Sequence, residues 1–196
     1  MRYALGTYLV TTASRMHRKI ISSFTLIELM VTVSIVAILA SIAVPNLGPF
    51  LDNSRFRSLS GDVSASLAEA RSEAMKRGVY VSVAPVIASG NLSDGWVVFL
   101  DNVPPDGVVS ATSTVISRQA AYGTDVLARA SIGGSQTFMT YDRLGRSVLT
   151  NLGTGAGRIE MQIGAIGAAR KQGSLCINWG GRARLVADVV GVDACK

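Results

Sequence analysis

The segment SSFTLIELMVTVSIVAILASIAVP, residues 22–45, sets the architecture that we predict for this chain. Within it, residues 24–44 form an apolar run whose one charged side chain is that of Glu28, and Pro45 closes the run. At about 1.5 Å per residue a helix of this length is roughly 30 Å long, which matches the hydrocarbon core of a bilayer. The run therefore predicts a transmembrane helix over 24–44.

The segment before the run is basic. It holds four of the chain's 19 Lys and Arg residues and none of its 13 acids: Arg2, Arg15, Arg18 and Lys19. The positive-inside rule keeps this end in the cytoplasm and places everything after Pro45 outside it. A secretory signal peptide carries its cleavage site after the apolar core, whereas here the suitable cut precedes it. We expect residues 1–23 to be removed as a leader and residues 24–44 to remain as a single-pass anchor.

The carboxylate of Glu28 needs a partner, because a charge inside a span costs about 2.5–3.5 kcal/mol at mid-bilayer. Cleavage between Ser23 and Phe24 creates an α-amino group four residues before it. In a bundle of such helices, the carboxylate of one subunit neutralises the amine of its neighbour and fixes the register between them. Glu28 is therefore predicted to be a subunit-assembly residue.

FTLIELMVTVSIVAILASIAVP resembles the N-terminus of type IV pilins and type II secretion pseudopilins, with Phe24 first, Glu28 fifth and Pro45 twenty-second in the mature chain. Ser23 stands where this family usually has glycine. The resemblance implies a prepilin peptidase that cuts after Ser23 and methylates the Phe24 amine. It also implies other pilin or pseudopilin subunits and an inner-membrane assembly platform as partners. The protein is then expected in the bacterial inner membrane with a periplasmic head, and later in a fibre.

A second helical pattern follows Pro45. Apolar residues recur at spacings of three and four, which mark one face of a helix: Phe56, Leu59, Val63, Leu67, Ala70 and Ala74. Glu73 stands four residues before Arg77, a favourable order for an ion pair, and Gly78 is a suitable C-cap. We predict one helix from Phe24 to Arg77, whose second half, 45–77, packs on a globular head.

Beyond Gly78 the pattern changes to alternation, which predicts strands separated by turns. Six segments are predicted as strands: 79–83, 96–100, 113–119, 136–141, 158–163 and 175–179. Trp96, Phe99 and Phe138 are expected in the core. The predicted class is α+β, a pilin-like fold in which the long N-terminal helix packs on an antiparallel sheet or sandwich formed by 79–196.

LAEARSEAMKRG, followed by DGWVVFLD, resembles the GspH/FimT family, which includes minor pseudopilins of type II secretion and minor pilins of type IV pili. The resemblance implies a fibre subunit rather than an enzyme. In agreement, the chain's one histidine, His17, lies in the predicted leader, so the mature chain has no Ser-His-Asp or Cys-His pair and no histidine-based metal site. We expect no catalytic residues, no metal and no cofactor.

Two cysteines lie near the C-terminus, Cys176 and Cys195, without a CxxC pattern. A disulfide between them suits an oxidising compartment and closes a loop worth about 3 kcal/mol in the chain-entropy model. Two free buried thiols are the alternative.

The segment WGGRARLV, residues 179–186, places Arg182 and Arg184 two residues apart after a flexible Gly pair. In an extended chain both guanidinium groups lie on one face, roughly 6–7 Å apart, where they reach phosphates of one nucleic-acid strand. The alternative is an exposed strand edge kept soluble by charge. The surrounding segment 143–184 is basic, with one acid, Glu160, against seven basic residues: Arg143, Arg146, Arg158, Arg170, Lys171, Arg182 and Arg184.

Gly181, Arg182 and Arg184 also resemble the G-R-x-R tail element of FimT-type minor pilins, which bind DNA during natural transformation. The resemblance implies a minor type IV pilin that binds double-stranded DNA without sequence preference through these residues. Arg170 and Lys171 are expected to support the contact, and Arg143 and Arg146 are weaker candidates. The alternative is a structural subunit, either a minor pilin or a GspH-like pseudopilin, that initiates or caps a fibre and contacts only other subunits.

Overall fold

The computed structural model of the chain describes residues 24–87, 90–165 and 168–195. The predicted leader, including Ser23, lies outside these residues. The chain divides into two units between Val44 and Pro45. Each unit is described separately below.

The first unit contains the start of helix α1, Leu26–Arg77. This helix begins two residues after the predicted start and ends at the predicted residue. Thr25 and Glu28 form a capping box at its N-terminus, since the backbone N–H and the hydroxyl of Thr25 donate to Glu28 Oε2 at 3.0 and 2.9 Å, and Glu28 N–H donates to Thr25 Oγ1 at 3.2 Å. Every side chain over 24–42 is exposed.

Within the described residues, no single helix is both long and apolar enough to cross a membrane. The consecutive segments Leu26–Ile42 and Leu47–Arg77 meet that criterion only as a pair, by length and composition alone. The span over 24–44 therefore stays a prediction.

In the second unit, α1 buries the face that its sequence pattern predicts. All six apolar residues of that face are at most 3% exposed: Phe56, Leu59, Val63, Leu67, Ala70 and Ala74. Gly78 ends the helix with a positive φ of 69°, and its N–H donates to the carbonyl of Ala74 at 2.9 Å. Arg77 donates to Glu73 at 2.6 Å, and this hydrogen bond lowers the pKa of the Glu73 carboxyl.

The described residues form nine strands and two short 3₁₀ helices, Leu92–Asp94 and Val192–Cys195. The strands are β1 Val81–Pro85, β2 Trp96–Leu100, β3 Val115–Gln119, β4 Val126–Ile132, β5 Met139–Tyr141, β6 Ser147–Val148, β7 Gly157–Ala165, β8 Ala168–Ile177 and β9 Ala183–Ala187. One sheet has the order β3-β2-β1-β5-β6 and the other β4-β7-β8-β9, with antiparallel pairing throughout. The strands β9 and β4 are the edges of the second sheet.

The core lies between the buried face of α1 and the inner faces of both sheets. Its largest cluster joins helix residues such as Leu59 and Leu67 to Trp96 of the first sheet and Ile159 of the second. Phe99 and Phe138 lie in a smaller cluster. The predicted burial of these three aromatic residues and the predicted α+β class are thus confirmed.

The strand prediction needs four corrections. It missed β4, β6 and β9, and it placed Trp179 at the end of a strand, whereas this residue lies in the turn after β8. The sequence of β4, VLARASI, is rich in alanine, which is depleted in strands. β6 is only two residues long. β9 is an exposed edge strand that is defined by its pairing with β8, and its sequence does not alternate between buried and exposed residues.

Candidate nucleic-acid interface

The predicted arginine pair is presented by the turn between β8 and β9. Asn178 organises this turn: its carbonyl accepts from Gly181 N–H at 2.8 Å, its side-chain oxygen accepts from Arg182 N–H at 2.9 Å, and its N–H donates to the Arg182 carbonyl at 3.1 Å. Gly181 has a positive φ of 73°, a conformation that favours glycine. The turn is therefore closed at its base by a fixed set of hydrogen bonds.

Two distant side chains hold the same turn from beneath. Arg71 of α1 donates through Nη2 to the Gly180 carbonyl at 2.9 Å and through Nη1 to the Gly181 carbonyl at 3.5 Å. Tyr141 of β5 donates its hydroxyl to the Gly181 carbonyl at 3.3 Å, and burial raises the pKa of this phenol. Arg71 Nε is buried without a hydrogen-bond partner among the described residues. Sequence reasoning missed Arg71, because nothing local marks a helix residue that binds a turn 109 residues away.

Arg182 and Arg184 are both exposed and line one depression of about 590 Å³. Arg184 lies directly opposite Cys176, which in turn lies opposite Arg158 of β7. Directly opposed residues of antiparallel strands point to the same side, so this row crosses three strands on one sheet face, with about 9–10 Å between the outer two. Arg158 also lines the depression. Both arginines of the pair thus face the same space.

The basic run over 143–184 separates into compensated and uncompensated charges. Four of its side chains have carboxylate partners: Arg146 with Asp142 at 2.8 Å, Arg158 with Glu160 at 2.7 Å, Arg170 with Asp52 at 2.7 Å, and Lys171 with Asp188 at 2.7 Å. In the part of the chain that the structure describes, Arg143, Arg182 and Arg184 have no such partner. The uncompensated charge is therefore at the β8–β9 turn and its neighbour.

The structure does not bring Arg170 and Lys171 to the arginine pair. They lie near the start of β8, five and six residues before Cys176, and this separation corresponds to about 17–20 Å along a strand. Arg170 donates to Asp52 through Nε and Nη2, and this hydrogen bonding lowers the pKa of the Asp52 carboxyl. Their positions and their ion pairs do not support the expectation that they assist Arg182 and Arg184.

Arg143 lies in the turn between β5 and β6, which contacts the β8–β9 turn. Ser147, the first residue of β6 after this turn, donates its N–H to the Trp179 carbonyl at 3.2 Å, so the two turns are adjacent. Asp142 holds the first turn by accepting from the N–H groups of Leu144 and Arg146. Arg143 is exposed at this turn.

A disulfide joins Cys176 to Cys195, as predicted, with 5.4 Å between their Cα atoms. It draws the C-terminal segment over the outer face of the second sheet. Ser174 Oγ donates to the Val189 carbonyl at 3.0 Å, and Gly191 N–H donates to Glu160 Oε1 at 3.1 Å. The disulfide therefore forms one side of the depression that Arg182 and Arg184 line.

The family model described as type II transport protein GspH matches residues 60–181, and that of the prokaryotic N-terminal methylation motif matches residues 18–44. The second match includes Ser23, Phe24 and Glu28, whereas Arg182 and Arg184 lie just beyond the first. No curated protein matches the chain.

Two solved structures are similar, both of the type IV minor pilin FimU of Pseudomonas aeruginosa strain PAO1. The first, in space group P21, superposes with a TM-score of 0.52 at 17% identity and covers 75% of this chain and 99% of that one. The second, in space group P65, has a TM-score of 0.49 at 17% identity and covers 71% and 99%. At this identity, the first match shows the pilin fold alone.

Proposed function

The chain belongs to the GspH family of pilin-like proteins, and we propose that it is a minor type IV pilin that binds double-stranded DNA through Arg182 and Arg184. The observation that carries the proposal is a pair of exposed guanidinium groups at the start of the edge strand β9, which line one depression and have no carboxylate partners in the described part of the chain. Their turn is fixed by Asn178, Arg71 and Tyr141. Such a pair is suited to phosphate contacts, which carry no sequence preference.

We expect the binding to be weak for each subunit. Phosphate contacts alone give dissociation constants of about 10⁻⁴–10⁻⁶ M at physiological salt. A weak, sequence-independent contact suits a fibre that takes up DNA for natural transformation and then releases it.

The proposal includes a route to the fibre. A prepilin peptidase cleaves after Ser23 and methylates the Phe24 amine, residues 24–44 hold the protein in the inner membrane, and the periplasmic head comprises 45–196. The match to the methylation motif over residues 18–44 and the exposed apolar side chains of 24–42 support this route. In the single chain, Glu28 uses Oε2 for both bonds to Thr25. We propose that Oε1 accepts from the Phe24 amine of a neighbouring subunit.

The DNA proposal is tested with the full-length protein in non-ionic detergent and a fluorescent DNA duplex, whose binding is measured by anisotropy over a range of salt concentrations. We expect Arg182→Ala with Arg184→Ala to weaken binding and to lower the slope of log K against log salt by about 2, because each lost phosphate contact removes about 0.9.

A matched control removes the same charge elsewhere. Arg57 of α1 and Arg118 of β3 are also exposed, and neither is ion-paired within the described residues. Replacing both by alanine changes the net charge equally, so we expect binding close to that of the wild type. If the two double variants bind alike, the charge of the whole molecule rather than the arginine pair holds the DNA, and the assignment is wrong.

A structural subunit that initiates or caps a fibre is the second candidate. The observation that favours it is the exposed apolar surface of 24–42, which needs other helices or lipid around it whether or not DNA binds. A wild-type protein that co-purifies with other pilins and binds no duplex at low salt would favour this candidate over the first.

A further inference from the structure

Trp179 stands at the tip of the β8–β9 turn with 67% of its surface exposed. The chain's other tryptophan, Trp96, is 1% exposed in the core. Tryptophan is highly buried on average in folded proteins, because its large ring gains from leaving water. The exposed ring at this turn is therefore a feature that folding of the head does not require.

The backbone beneath this ring is fixed. The carbonyl of Trp179 accepts from Ser147 N–H at 3.2 Å, and Arg71 holds the next residue, Gly180, at 2.9 Å. Leu144, at the adjacent turn, is 61% exposed, so two apolar side chains stand on neighbouring turns. A ring on a fixed backbone loses less conformational freedom when it binds than a ring on a mobile loop.

The surroundings of the ring are cationic. Arg182 follows three residues later and Arg143 lies in the adjacent turn, both exposed and without a carboxylate partner among the described residues. The nearest acid along that turn, Asp142, is buried and paired with Arg146. An exposed aromatic ring on a turn that also carries uncompensated guanidinium groups suits a ligand that is both anionic and aromatic.

We infer that Trp179 is a stacking platform for an unpaired base, so that the region of the β8–β9 turn binds single-stranded DNA more tightly than closed duplex. The inference rests on the proposed function, since Arg182 and Arg184 hold the phosphates while the ring takes the base. In a duplex the bases are stacked on one another and offer no free face, whereas in a single strand each base does. Tryptophan also anchors protein partners, but the cations around this ring favour a polyanion.

The test uses the full-length protein in non-ionic detergent with two probes at equal nucleotide concentration, an oligothymidylate and a relaxed, covalently closed circular duplex. We expect Trp179→Ala to weaken oligothymidylate binding about 10-fold and to change duplex binding by less than about 2-fold. Trp179→Phe keeps an aromatic face and should lie within about 3-fold of the wild type. Quenching of tryptophan emission by oligothymidylate should be lost in Trp179→Ala, because Trp96 is buried.

The variant is expected to melt like the wild type, because the replaced side chain is exposed. The inference is overturned if Trp179→Ala weakens the binding of both probes equally, or if it weakens the binding of neither. It is also overturned by a loss of association with other pilins while oligothymidylate binding stays unchanged. If Arg182→Ala with Arg184→Ala weakens both probes and Trp179→Ala weakens neither, the proposed function stands and this inference fails alone. A wild-type protein that binds neither probe contradicts both.

Discussion

At the scale of single residues, the two glycines of the β8–β9 turn have different tasks. A Cβ built on Gly181 would lie 2.4 Å from the Gly145 carbonyl oxygen and 2.7 Å from Tyr141 Cε1, and the residue also has a positive φ. A Cβ on Gly180 would meet only the side-chain oxygen of Asn178, at 3.4 Å. The Gly pair looks uniform in sequence, yet only Gly181 allows the close approach of the two turns.

We therefore expect Gly181→Ala to lower the free energy of unfolding by at least about 1–3 kcal/mol, through the cost of a left-handed alanine and the clash with backbone. Gly180→Ala should stay within about 0.5 kcal/mol of the wild type. Denaturant unfolding of the two variants in the same detergent measures the difference. Equal free energies of unfolding would show that the two turns can separate without loss of stability. This result would contradict the rigid β8–β9 turn on which both proposals depend.

At the scale of helices and strands, local patterns predicted what depends on local spacing. The buried face of α1 and the strand β2 follow from periodicity alone, and both are present as predicted. Ion pairing was not predictable, because Arg170 and Arg182 look equivalent in sequence. Of these two, only Arg170 has a carboxylate partner, Asp52 of α1, which lies 118 residues away in the chain. The sequence therefore indicated the arginine pair but not which other basic residues share its surface.

The Asp52–Arg170 pair anchors the start of β8 to α1 and makes stability depend on pH. The hydrogen bond from Arg170 holds the pKa of Asp52 below its ordinary value, so the ionised carboxylate stabilises the fold. This contribution is complete above the ordinary carboxyl pKa of about 3.9 and is lost as the pH falls through the lowered value.

Thermal unfolding across a pH series checks this expectation. Asp52→Asn should melt below the wild type at neutral pH, and the two curves should converge in acid. Asp188→Asn is the matched control, because Asp188 is 69% exposed in its pair with Lys171 and exposed pairs contribute little. A gap between wild type and Asp52→Asn that persists unchanged into strong acid would contradict the assignment.

At the scale of the whole molecule, the two units differ in burial. The core lies entirely in the second unit, from Phe56 to Ala194, while the described side chains of the first unit over 24–42 are all exposed. Assembly and folding should therefore respond to different substitutions. The expectation comes from the sequence, in which one apolar run over 24–44 contains one acid, Glu28.

Glu28→Gln tests the division. We expect the unfolding transition of the head to stay unchanged, while the protein's incorporation into fibres in its host falls about 100-fold, because an amide cannot neutralise a buried amine. The measurement compares sheared fibres with membranes by immunoblot. Glu73→Gln is the control in the same helix, at a residue whose partners are Lys76 and Arg77 of its own chain, and it should assemble normally. Normal assembly of both variants would contradict the predicted role of Glu28 in contacts between fibre subunits.

The bond between Cys176 and Cys195 links the arginine face to the chemistry of the compartment in which the head matures. Until the two thiols are oxidised, the tail that borders Arg184 lacks its covalent link to β8. If the proposed function holds, a cell short of thiol oxidase would export processed subunits whose tail is not covalently fixed beside Arg184. DNA capture should therefore decline in such a cell before the number of fibres does.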